Sequence, residues 1–296
     1  VRAGKLKEDR TRLTSVISTQ QITKAKKMVS AAKLRRAQDR ILQMRPYALK
    51  MGELLSNIAD AAGQDVKIDF AQSREVKSVL LVAITSDKGL CGAFNANVMK
   101  QIKKTIEDNY SHLPKANVKI MFIGKKGYDV YKRSAYTLNT DFMNLFTAVD
   151  FENVSRATAY IKEGFLKGEF DEVQVVYNKF KNAATQILET EQFLPIKKLE
   201  PVAGAKNVKS DYIYDPEKEQ MILELVPKIL NTSFYRYILD SNASEHGARM
   251  TAMDKASDNA NELLKELKIS YNRARQAAIT TELTEIVSGA AALQGN

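Results

Sequence analysis

Reading the first fifty residues at steps of three and four gives one ladder: Leu6, Asp9, Leu13, Val16, Gln20, Thr23, Lys27, Ser30, Leu34, Ala37, Ile41, Met44. It is apolar at both ends and polar in the middle. From about Arg2 to Asn57 the only proline is Pro46 and the only glycines are Gly4 and Gly52; the rest favours helix formers. The spacing predicts one long amphipathic helix. Across its middle the apolar set moves round to Ile22, Ala25, Val29 and Ala32. That shift predicts a buried face that changes partway along, as in a helix with more than one neighbour.

A second ladder closes the chain: Met250, Met253, Ser257, Ala260, Leu264, Leu267, Tyr271, Ala274, Ala278, Thr281, Glu285, Ser288. Its alanines let two helices approach closely. Asp215-Pro216-Glu217 reads as an N-cap, a first-turn proline and a first-turn carboxylate. From there to Ser288 only Pro227 and Gly247 interrupt, and a kink or break is expected at Pro227. Some 70 residues make a rod on the order of 100 Å long, too long to be buried in a domain of this size. An ordinary bundle would turn every 15–25 residues or so, and no such turn signals occur.

Between about 76 and 200 the pattern changes to short apolar runs. Val79–Ile84 and Val118–Ile123 read as buried strands, Phe94–Asn109 as a helix, Val154–Phe165 as another helix, and Val173–Tyr177 as a third strand. Such alternation predicts parallel β-α-β units. Thr185–Phe193 alternates as an antiparallel edge strand would, and Lys197–Asp211 reads as an exposed loop. The expected fold is a Rossmann-like α/β domain inserted between two long terminal helices that form an antiparallel coiled coil. The expected divisions are 1–57 for the first helix, 58–75 for a linker, 76–211 for the α/β domain and 212–296 for the second helix.

Composition adds one constraint. The formal net charge is +10, and the first 45 residues carry thirteen Lys or Arg against three acidic groups, so the whole excess lies on the first helix. A basic segment calls for an acidic partner: nucleic acid, an anionic membrane or an acidic protein surface. No apolar run approaches a membrane span, and Val1–Lys7 lacks the core of a secretory signal, so a soluble chain is expected. Cys91 is the only cysteine, which rules out an internal disulfide.

Candidate chemistry is sparse. Gly89-Leu90-Cys91-Gly92 stands where a phosphate-binding turn would stand. It lacks the G-x-G-x-x-G spacing, however, and reads as a tight strand-to-helix turn with a small buried cysteine. Gly124-Lys125-Lys126-Gly127 has the G-x-x-G form of nucleic-acid-binding KH loops, but follows a strand where those follow a helix. His112 and His246 have no nucleophile or carboxylate at suggestive spacing. No catalytic residue, cofactor or metal site is expected.

Three separated stretches carry a resemblance that spans the chain. Ile279-Thr280-Thr281-Glu282-Leu283-Thr284-Glu285-Ile286-Val287-Ser288-Gly289-Ala290 is similar to the C-terminal signature of the γ subunit of F-type ATP synthases. Gln21–Val29 with Lys33-Leu34 resembles that family's first helix, and Ser86–Gly92 its central-domain turn. The resemblance implies a rotor: paired helices form a shaft inside a ring of catalytic α and β subunits, and the foot stands on the membrane proteolipid ring (the c-ring). Ion flow turns the rotor, and the turning shaft drives the ring through its cycle of ATP synthesis or hydrolysis.

The same resemblance implies a single copy in a hetero-oligomer, no bound nucleotide and no nucleic acid. It implies a peripheral position on the cytoplasmic face of a bacterial inner membrane, or the matrix face of an organelle. The basic run including Lys24, Lys26 and Lys27, with Met28 beside it, would meet the catalytic ring, as would Arg249, Gln276, Thr280 and Glu282. Tyr212, Tyr214 and Asp215 would stand at the foot, near the proteolipid ring and the ε-type subunit. Lys26 occupies a position where the family pattern commonly has methionine, and an ion pair with an acidic loop of the ring is expected there. The cysteine-bearing insertion of chloroplast-type γ subunits is absent, so no thiol switch is expected. The competing readings are a basic coiled-coil nucleic-acid-binding protein and a dinucleotide-dependent enzyme on the α/β domain.

Overall fold

The computed structural model describes residues 2–62, 68–196 and 218–294. The first helix, α1, is Arg2–Ala62, and the last, α5, is Lys218–Gln294. Between them run β1 (Val79–Ile84), α2 (Phe94–Asn109), β2 (Val118–Ile123), α3 (Lys125–Tyr131) and β3 (Thr137–Asn139). Then come α4 (Phe151–Leu166), β4 (Glu172–Phe180) and β5 (Gln186–Leu194). The chain divides into two compact units, one of residues 1–30 with 250–296 and one of residues 31–249.

The first unit is an antiparallel pair of helical segments whose seam is the predicted ladder. Asp9, Thr23 and Ser30 are buried, and Leu6, Leu13, Val16, Gln20 and Lys27 are half-buried. From the other side come buried Met253, Ser257, Ala260, Leu264 and Leu267. The buried line does not move round α1 as expected. Ile22 is 54% exposed and Val29 57% exposed, and Ala25 is exposed with them. The seam stays straight because its polar members find partners across it. Ser270 Oγ donates to Asp9 Oδ2 at 3.0 Å, Gln20 Nε2 donates to Asn261 Oδ1, and Lys27 pairs with Asp254. A buried polar group that is hydrogen-bonded costs far less than one left unpaired, so this middle stays closed without apolar side chains.

The second unit is built on a five-stranded sheet of order β3-β2-β1-β4-β5. The first four strands are parallel and β5 is antiparallel to β4, as the edge-like alternation predicted. Strand β1 is buried on both faces because helices cover both. Leu80, Val82 and Ile84 join a core with Val154, Ile161 and Phe165 of α4 and Phe234 and Ile238 of α5. Val79, Leu81 and Ala83 join the opposite core with Val98 and Ile102 of α2. A side chain of this size contributes about 1.5–3 kcal/mol when fully buried. Helix α4 is capped by Asp150, whose carboxylate accepts from Asn153 N at 2.7 Å. Helix α5 is fastened to the sheet through Glu191, which accepts from Tyr177 and Tyr237, each at 2.6 Å.

Several boundaries differ from expectation. Helix α1 continues through Pro46 to Ala62, beyond residue 57. Helix α5 continues through Pro227 without a break. One missing backbone donor is outweighed there by burial of Val226, Ile229 and Leu230 on the same face. The cap at Asp215-Pro216-Glu217 lies outside the described residues. Helix α3 and strand β3 were not foreseen: the first is seven residues with an internal glycine, the second only three.

Candidate functional site

On the first unit, the residues singled out by sequence separate into two stations. Lys24, Lys26 and Met28 are exposed on the outer side of α1, and Met28 is 73% exposed. Lys27 differs from them: it lies on the seam and its ammonium is engaged by Asp254. Paired seam residues have numbers adding to about 280, from 279 for Asp9 with Ser270 to 281 for Lys27 with Asp254. The lysine station therefore lies level with residue 254 of α5. Gln276, Thr280 and Glu282 lie at the far end of the coil, roughly 35–40 Å away at 1.5 Å per residue. All three are exposed.

The same register places Arg2, the first helical residue, opposite about residue 278. Among the described residues, 282–291 of α5 are all exposed. Their apolar side chains are not hidden: Leu283, Ile286 and Val287 are all more than half exposed. Ile279, just before them, is exposed as well. A single helix that leaves this much apolar surface in water calls for a covering partner.

The second unit holds Arg249, whose side chain is only 13% exposed. It pairs with Glu245 at 2.6 Å and donates to the carbonyl oxygens of Lys88 at 2.8 Å and Gly89 at 3.3 Å. Burial pushes the Glu245 carboxyl up, and the neighbouring Arg249 pulls it back down. His246 is lowered from 6.5 to about 4 by burial, with Arg249 and Lys33 adding to it. Its Nδ1 is buried without a partner. Tyr212, Tyr214 and Asp215 lie outside the described residues.

The two glycine pairs have structural roles. Inside the turn after β1, Asn95 Oδ1 accepts from Ser86 N at 2.9 Å, and Asn95 Nδ2 donates to Ser86 Oγ at 2.8 Å and Cys91 Sγ at 3.3 Å. Gly124 is forced: its φ is +87°, and a Cβ there would lie 2.0 Å from Thr85 O. A Cβ on Gly127 would meet the Phe122 ring at 2.7 Å. Both glycines thus let the β2–α3 corner close onto the end of β1. Among the described residues no cluster of His, Cys, Asp or Glu could hold a metal ion, and no helix is long and apolar enough to cross a membrane.

Comparison with known proteins decides the family. A sequence model described as ATP synthase matches residues 5–293. The ATP synthase gamma chain of Cytophaga hutchinsonii is 53% identical over 291 residues, covering 97% of this chain and 98% of that one. The chain belongs to the ATP synthase gamma chain family. A second relative, the ATP synthase gamma chain of Flavobacterium psychrophilum, is 52% identical over 291 residues, covering 98% of this chain and 99% of its own. The gamma-chain fold is shared with a chain of the Euglena gracilis mitochondrial ATP synthase. That match has a TM-score of 0.66 at 22% identity, covering 98% of this chain and 95% of the other. A chain of the central stalk and c-ring structure of the Tetrahymena thermophila mitochondrial enzyme matches with a TM-score of 0.55 at 26% identity. It covers 80% of this chain and 99% of that one. The fold class expected from the sequence, an α/β domain between two paired terminal helices, is the gamma-chain fold. As a gamma chain, the protein is a subunit of an ATP synthase complex.

Proposed function

We propose that this chain is the rotary central stalk of its ATP synthase, itself non-catalytic, coupling ion flow through a membrane c-ring to the conformational cycle of the catalytic subunits. The observation that carries this reading is the end of α5, where Leu283, Ile286 and Val287 put apolar side chains in water past residue 281. An apolar sleeve formed by the α and β subunits would cover it without fixing it at one angle, because the contacts are non-directional. Gln276, Thr280 and Glu282 would meet the ring at this level. Lys24, Lys26 and Met28 would meet it one station lower, where two exposed ammonium groups suit an acidic loop. Lys27 and Arg249, both bonded within the chain, would contribute less directly.

The ε-type subunit and the c-ring would take the foot at Tyr212, Tyr214 and Asp215, with one copy of the chain per complex. The relatives at about half identity are bacterial. They favour a peripheral position on the cytoplasmic face of a bacterial inner membrane over the matrix face of an organelle. A reversible block tests the reading. Thr280→Cys, in a Cys91→Ser background, is joined by a disulfide to a cysteine on the catalytic ring. ATP hydrolysis by the complex should stop and return on reduction. Full-rate hydrolysis with the bond intact would refute rotation.

A further inference from the structure

The turn after β1 has an unusual backbone. Leu90 is not glycine, yet its φ is +64°, and Gly92 follows at +60°. For a bulky side chain this left-handed conformation costs energy and persists only where the surroundings enforce it. Burial of Leu90 does not enforce it, because the side chain is 59% exposed. Its neighbour Lys88 is exposed too, whereas Cys91 between the two strained positions is buried.

What enforces it comes from the other end of the sequence. Arg249 donates to the carbonyls of Lys88 and Gly89, the two residues immediately before Leu90. A guanidinium presents several donors in one rigid plane, so it can hold two successive carbonyls and a carboxylate together. The carboxylate is Glu245, one helical turn back on α5 and itself buried. On the inner side, Ser86 Oγ donates to Lys88 O at 2.7 Å, and Asn95 holds Ser86 and Cys91. Lys88 O thus accepts from both sides.

We infer that the Glu245–Arg249 pair is a clasp that sets the conformation of the Ser86–Gly92 turn. Arg249 is a positioning residue, and the surface it presents is the outward side of the turn, Lys88 and Leu90. Glu245 orients the guanidinium and keeps its charge compensated. The clasp holds whether or not the stalk rotates, so its failure and the failure of the rotary reading are separate results.

Cys91, the chain's only thiol, reports on the clasp. The full chain, in its assembled complex, is exposed to N-ethylmaleimide, and modification of the Cys91 peptide is followed by mass spectrometry. Arg249→Gln and Glu245→Gln should each speed modification by about tenfold or more, the scale of losing a charge-assisted hydrogen bond. Arg249→Lys, with one ammonium in place of a fork, should fall between. Ile161→Val, a core change elsewhere, should leave the rate at the native value. Adding Leu90→Gly to Arg249→Gln should slow modification again, since glycine holds the left-handed conformation unaided. The clasp is refuted if Arg249→Gln reacts at the native rate, if Ile161→Val accelerates as much, or if Leu90→Gly brings no slowing.

Discussion

Thr23 Oγ1 and Ser257 Oγ stand 2.7 Å apart at the middle of the coil, both buried, and 234 residues apart in sequence. Thr23 Oγ1 also lies 2.9 Å from Gln20 O, and Ser257 Oγ 2.9 Å from Met253 O. Two hydroxyls carry two protons for these three contacts, so one proton is shared between helices and helix backbone. Removing either hydroxyl abolishes the contact between helices and leaves the other only its carbonyl in its own helix. Thr23→Val or Ser257→Ala should each cost about 1 kcal/mol. The double variant should cost less than the two together, with a coupling of about 0.5–1.5 kcal/mol in a denaturation cycle. Strict additivity would mean that the two hydroxyls do not cooperate.

The glycines of the two look-alike loops should respond in opposite ways. Gly124→Ala must place a Cβ against Thr85 O at a positive φ, and should destabilise by about 4 kcal/mol or more. Gly89 has nothing within 4 Å of the added carbon, so Gly89→Ala should stay within about 0.5 kcal/mol of the native chain. Thermal unfolding of both variants checks the contrast.

Acid should act on α5 through two groups of opposite sign. His246 is lowered from 6.5 to about 4, so the unfolded chain takes up its proton first. Its contribution is complete above 6.5 and is lost as pH falls from 6.5 to about 4. Asp240 is raised from 3.8 to about 6, mainly by burial, and only partly restrained by Arg236. Its contribution is complete below 3.8 and is lost as pH rises to about 6. Between pH 4 and 6 the two oppose each other. Asp240→Asn removes the opposing one, so denaturant midpoints should fall more steeply on acidification than in the native chain. An unchanged slope would count against the assignment.

Lys26 stands exposed on the outer side of α1. Lys26→Met should leave the stability of the chain within about 0.5 kcal/mol, since it removes no internal contact. If its ammonium pairs with an acidic loop of the catalytic ring, the salt dependence of ATP hydrolysis by the complex should weaken. Unchanged salt sensitivity and coupling would remove the pairing.

Local patterns carried far in this chain. Leu6, Leu13, Val16, Leu34 and Ala37 are all half-buried or buried, as their spacing predicted, and β1, α2 and β2 begin and end where their apolar runs do. Sequence periodicity shows which residues of one element share a face. It does not show what meets them. The ladder therefore showed a polar mid-seam without its partners, whereas Thr23, Gln20 and Lys27 are matched one by one from α5. Arg249 likewise read as a contact for another subunit, and its bonds to Lys88 and Gly89 span 160 residues or more. Nothing in the local pattern of either segment announces such a bond.

The register of the coil has a mechanical consequence. From Asp9 with Ser270 to Lys27 with Asp254 any bending load is shared by two strands of backbone bonded side to side. Resistance to bending rises steeply with cross-section, so this stretch is a two-ply beam. Among the described residues the end of α5, 282–291, is exposed and has no second ply, and a socket around it would have to supply the stiffness.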